Sequence, residues 1–286
     1  MSYVLLAWIA TIMYGLETVI IKLSGKYAIK NPWLFNALWN VLFTVFMIPI
    51  FISHPVALPK IWGNLLITSF LSAVCCILYI ISTYRLDVST ISPLYNVRTG
   101  LAVLFAALLL GEKMTSHQLS LVGIIIVMGF IVTVDEKFSL QSFFRKDIII
   151  ALIYMALLAL YVVYAKKTIL DIGYWSATIW QTILIPIMLI PTFPKFSKEI
   201  KSITRKQMIP IILVSVTSTV GYLLANKAIE TNVGITSVIM TFPLPMILAF
   251  IISLIWPKLM EKHPLKIYAI RFAATAIMFM CALGLG

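Results

Sequence analysis

Apolar runs about 20 residues long, separated by short polar or proline-bearing breaks, repeat along the whole chain. That length is what a helix needs to cross roughly 30 Å of hydrocarbon. The pattern predicts helices at about 3–23, 33–53, 62–84, 91–110 and 117–134. Five more follow at about 148–168, 174–193, 208–228, 233–256 and 264–285. The breaks carry turn or charge signals, such as Lys30-Asn31-Pro32, His54-Pro55, Arg85-Leu86-Asp87, Gly111-Glu112-Lys113, Asp135-Glu136-Lys137 and Glu230-Thr231-Asn232. The first run has no basic leader, Lys22 being its first positive residue, so it is expected to remain as a span.

Composition points the same way. The 286 residues are 62% hydrophobic and only 11% charged, with a mean hydropathy of +1.04. A soluble domain carries about a quarter charged residues to cover its core. One membrane domain over 1–286 is expected, as a multi-pass protein of the cell membrane. A polar connector, about Asp135 to Asp147, divides it into repeat one, 1–137, and repeat two, 145–286. Five spans per half make the halves cross in opposite senses. The expected fold class is therefore an all-α membrane protein of ten transmembrane helices arranged as two inverted five-helix repeats. Tyr14-Gly15 with Lys22 in the first run is echoed by Tyr154, Tyr161 and Lys166 in the sixth, and Gly111-Glu112-Lys113-Met114 by Pro257-Lys258-Leu259-Met260.

Ser92-Pro93, the apolar run from Leu101 into Gly111-Glu112-Lys113, then Gln118 and Gly123 to Gly129, resemble the EamA-type drug/metabolite transporter superfamily. The length and the five-plus-five division agree with it. The second copy departs from the pattern, with Pro257-Lys258 where Gly-Glu is expected and Ala269 in place of the first glycine. The resemblance implies a secondary transporter, often an exporter of amino acids, other metabolites or drugs, with no prosthetic group or other cofactor.

Other chemistry is weakly represented. Cys75, Cys76 and Cys281 lie inside apolar runs and are expected to pack rather than pair. His54, His117 and His263 are scattered over expected loops, so no metal site is expected, and no nucleotide-cradling Gly-x-x-x-x-Gly-Lys-Ser/Thr loop occurs. No catalytic residue is assigned. The net charge of +12 reads as loops meeting anionic lipid headgroups, not as a nucleic-acid surface. Lysine and arginine concentrate in the odd-numbered loops, which places those loops in the cytoplasm. The family resemblance implies the reverse orientation, with the termini inside.

Ionisable and amide groups within spans are costly and point to function. Counting about 1.5 Å per residue, Glu17, Asn40, Arg98 and Arg271 all fall roughly 10 Å below the odd-loop face. Four helices thus supply polar groups at one level, which suggests a cluster facing a cavity. Glu17 and Arg98 are either a buried ion pair or contacts to substrate or a coupled proton; Arg271 could instead snorkel to the headgroups. Asn96 and Gln181 are deep amides that could line the path or glue helices together. Tyr14 and Tyr154, with Trp39, Tyr79, Tyr95, Tyr161, Trp180 and Tyr222, lie within spans, where packing or a cavity wall would explain them. Lys22, Arg85 and Lys227 read as interfacial anchors. Pro93 and the Pro243/Pro245 pair mark the helices expected to bend.

The expected function is secondary transport of a small organic metabolite such as an amino acid by alternating access, with Arg98 attracting a carboxylate and Glu17 an amine or a coupled proton. The alternatives are a flippase for a lipid or lipid-linked sugar and a membrane-embedded lipid-modifying enzyme. A monomer among membrane lipids is the favoured state.

Overall fold

A computed structural model describes residues 2–110, 114–133, 145–231, 236, 239–260 and 263–285. Helices dominate, and no strand occurs among these residues. In chain order they are α1 (Tyr3–Tyr27), α2 (Pro32–Ser53), α3 (Gly63–Arg85), α4 (Val88–Leu110) and α5 (Ser116–Val132). Then come α6 (Lys146–Ile172), α7 (Tyr174–Met188), α8 (Arg205–Thr231), α9 (Leu244–Ile255) and α10 (Leu265–Leu283). The corner Gly111-Glu112-Lys113, the connector over 134–144 and Asn232 lie outside the described residues.

Local chemistry sets the ends. The Asn31 side chain accepts from the Trp33 and Leu34 amides, and Pro32 needs no donor in the first turn of α2. Thr115 and Gln118 cap α5 reciprocally, which also draws His117 into the helix rather than a loop. Gly173 separates α6 from α7 with φ +81°, a conformation that side chains disfavour.

Among the described residues, seven helices, α1 to α4, α6, α8 and α10, are long and apolar enough to cross a bilayer. The fifth and seventh expected spans are shorter than the hydropathy pattern suggests, and the ninth is broken. α5 ends at Val132, with the Thr133 hydroxyl bonded to the Phe130 carbonyl. α7 stops at Met188 and passes into a 3-10 turn over Ile190–Lys195, where Pro191 and Pro194 cannot donate to a continuing helix. The ninth span is interrupted at Thr241-Phe242, and α9 starts only after Pro243.

The halves interleave. α1 lies chiefly against α8, α3 against α6, and α4 against α6. Exchanging α1–α5 for α6–α10 maps several packings onto others: α1–α8 onto α6–α3, α4–α6 onto α9–α1, and α2–α8 onto α7–α3. The pairs α2–α7, α4–α9 and α5–α10 map onto themselves. α5 and α10 pack on the outside of α4, so the remaining helices surround the centre.

Candidate functional site

A cavity of about 350 Å³ occupies that centre. Each of these surrounding helices offers it one face, as the helical period requires. α1 supplies Thr11, Tyr14, Gly15 and Thr18; α3 supplies Ser72, Cys75, Cys76 and Tyr79. Both sets follow the i, i+3, i+4, i+7 rule. Ser92, Tyr95 and Arg98 come from α4, and Tyr154, Leu158 and Tyr161 from α6. Trp39, Asn40 and Phe43 of α2 face Gln181 and Thr182 of α7 and Ser218, Tyr222 and Asn226 of α8. The segment Met240–Phe242, with Pro245, completes the wall. No described residue of α5 or α10 contributes to it.

The polar groups of the lining are tied to one another. Ser218 donates to Glu17 Oε2 at 2.7 Å and accepts from Trp39 Nε1 at 2.9 Å, joining α1, α2 and α8. The Thr18 hydroxyl bonds the Tyr79 hydroxyl at 3.0 Å, and the Tyr79 ring stacks on Tyr154. The Tyr154 and Tyr95 hydroxyls are 3.4 Å apart. Tyr161 donates to Gln181 Oε1 at 3.3 Å, and Asn40 donates to the Asn36 carbonyl at 2.9 Å.

Six of the eight binding residues expected from sequence therefore share one cavity: Glu17, Arg98, Asn40, Tyr14, Tyr154 and Gln181. The proposed ion pair is absent, because Glu17 is held by Ser218 and no ion pair joins it to Arg98. The cause is azimuthal: α1 meets α8 far more than α4. Arg271 sits on α10, where it is buried and bonds Ser89 in the first turn of α4. It neither snorkels nor reaches the cavity. Asn96 is fully buried beside the cavity, and its amide bridges the Pro93 and Thr241 carbonyls at 3.3 and 3.4 Å.

The prolines divide. Pro93 lies inside α4, whereas Pro243 caps α9 and Pro245 occupies its first turn, so this pair starts a helix instead of bending one. Lys22 is also not an interfacial anchor. It is buried and donates to the Leu86 carbonyl at 2.7 Å. Trp180 points outward from the cavity to the Ala57 carbonyl. Sequence reasoning missed Ser218 as the partner of Glu17. The spacing of Ser218, Tyr222 and Asn226 at i, i+4 and i+8 in α8 is the signal that would have found it.

Beyond the cavity, toward the end where α1 finishes, buried Ile21, Ile80, Leu86 and Ile91 fill the space. Polar ties then bridge the halves at that end. Asp87 pairs with His263 at 2.9 Å, Lys26 and Tyr27 bond the Lys258 carbonyl, and Gln207 bonds the Ala28 carbonyl. Burial alone would raise the Asp87 carboxyl. The hydrogen bond and charge of His263, with the charges of Lys22 and Arg271, outweigh burial and hold the carboxyl below the usual carboxylate range.

No curated protein matches the chain significantly. A solved structure titled only "Crystal structure of protein" superposes with a TM-score of 0.63 over 99% of this chain and 96% of its own, at 11% sequence identity. That likeness concerns the fold alone. The model of the EamA-like transporter family matches residues 1–134, the stretch that spans α1–α5. The resemblance read from Ser92-Pro93 onward falls within those residues, and the first half of this integral membrane protein is similar to the EamA-like transporter family.

Proposed function

We propose that the protein is a secondary transporter, expected to be an exporter, of a small organic metabolite such as an amino acid. It works by alternating access between two inverted five-helix halves that together make ten spans. The observation that carries this reading is the position of the cavity: it lies at mid-helix depth, between the halves, with both supplying its walls. Transporters built from inverted repeats bind substrate there. The exchange of helix packings between the halves supports the same architecture. The ties at the α1 C-terminal end correspond to the closed side of one state, which rocking of the halves would release. Charged groups in the lining favour a water-soluble solute over a lipid, so the flippase reading is the weaker one. Transport requires no bond chemistry, in keeping with the family.

The test has two stages. Purified protein is screened for thermal stabilisation by amino acids, amines, nucleosides and drugs, since a ligand of the folded state raises its melting point. Stabilising compounds are then assayed for flux in proteoliposomes. Saturable flux of at least one is expected, and stabilising ligands that never cross would refute transport.

A further inference from the structure

We propose that the cavity selects organic carboxylates: solutes with an anionic head held by Arg98 and an aromatic or apolar body, with no cationic centre required. The inference rests on the transport reading and narrows its substrate class.

Arg98 lines the cavity yet has neither a hydrogen bond nor an ion-pair partner among the described residues. Tyr14, Tyr95 and Tyr154 line the same cavity. A guanidinium in a membrane interior is costly when unpaired, and its planar fork of donors matches a carboxylate. The tyrosine hydroxyls can donate to the same anion. Among the described residues no carboxylate pairs with Arg98.

Glu17 does not restore the balance. It is the only carboxylate in the described lining, but it is 4% exposed and one oxygen is occupied by Ser218, itself engaged by Trp39. A ligand entering the cavity therefore meets Arg98 with no partner among the described residues and Glu17 with one oxygen already held by Ser218. An ammonium group would have to share Glu17, the one carboxylate of the described lining, with that serine. The amine role expected of Glu17 is thus the weaker of the two, and Arg98 carries the inference. The remaining wall is aromatic, with Trp39, Phe43, Tyr161, Tyr222 and Phe242, which suits a flat apolar body.

Three compounds with one ring separate the charge classes: 3-phenylpropanoate, an anion; phenylalanine, a zwitterion; and phenethylamine, a cation. Their affinities are read from thermal shifts of the purified protein and their fluxes from proteoliposomes. The anion is expected to bind tightest and the cation weakest. Arg98→Gln should weaken the anion by at least about tenfold, the usual scale for a charge-assisted hydrogen bond. Arg98→Lys keeps the charge without the fork and should fall between. If Arg98→Gln does not fold, the ordering of the three ligands on the wild type and the loss in Arg98→Lys still decide. Phenethylamine or phenylalanine binding more tightly than the anion overturns the inference, as does an unchanged anion affinity in either variant. Flux of the cation or zwitterion without the anion would overturn it while leaving transport intact. Absence of flux for these three and for the wider panel would remove the transport reading as well.

Discussion

The two glycines that mark α5 give a sharp steric test. A methyl group added at Gly129 would overlap Val97 Cγ2 of α4 far inside van der Waals contact, whereas one at Gly123 meets nothing within 4 Å. Both substitutions to alanine gain the same helix preference, up to about 1 kcal/mol. Their difference therefore isolates the clash. Overpacking a filled interface costs about 1–3 kcal/mol, so Gly129→Ala should be less stable than Gly123→Ala by that amount. Val97→Ala removes the obstructing methyls. It will be destabilising alone, but combined with Gly129→Ala the loss should fall short of the sum by at least about 0.5 kcal/mol. Reversible unfolding in mixed micelles, followed by circular dichroism against denaturant, measures the four variants against the wild type. Equal stability of the two alanine variants, or strict additivity with Val97→Ala, would refute the packing of α4 on α5 described above.

Two further outcomes follow from the polar contacts. Ser218→Ala leaves Glu17 without its donor and Trp39 without its acceptor, so stability should drop by about 1–3 kcal/mol, measured as above; a neutral variant would contradict the three-helix tie. The Asp87 carboxyl is held low in the folded state, so its contribution is present above the unfolded value of about 3.9 and disappears as pH falls through the lower folded value. The melting-point gap between wild type and Asp87→Asn should be full at pH 7 and close below about pH 4, and a gap independent of pH would count against the Asp87–His263 pair.

Most of the helical layout was legible because an apolar run long enough to span a bilayer has few other readings. What hydropathy could not convey was backbone chemistry: Pro191, Pro194 and Pro243 lie in apolar stretches yet withhold the donors that continued helices need. The site divided along a similar line. Depth follows from counting residues, and Glu17, Asn40 and Arg98 do line one cavity, though Arg271 does not. Azimuth depends on which helix faces which, and a single chain does not print it. Glu17 therefore met Ser218 rather than Arg98, and Arg271 ended on an outer helix. Of the eight aromatic residues noted within spans, all but Trp180 line the cavity, whereas packing is the role that residue type and position suggest for most of them.

The break before Pro243 bears on how the protein is assembled. α9 has 12 residues and is about 18 Å long, too short to cross hydrocarbon unaided. The carbonyls exposed at the break are met by other spans: Thr11 of α1 bonds that of Ile239, and Asn96 of α4 bonds that of Thr241. Irregular backbone survives at such depth only where protein shields it. The chain therefore makes the partners of its weakest segment first, since α1 and α4 are synthesised well before residue 239. Order of synthesis becomes part of the folding logic: the late, broken span enters a niche already furnished with its hydrogen-bond donors. Expressed apart from the first half, the same segment would leave two carbonyls facing lipid.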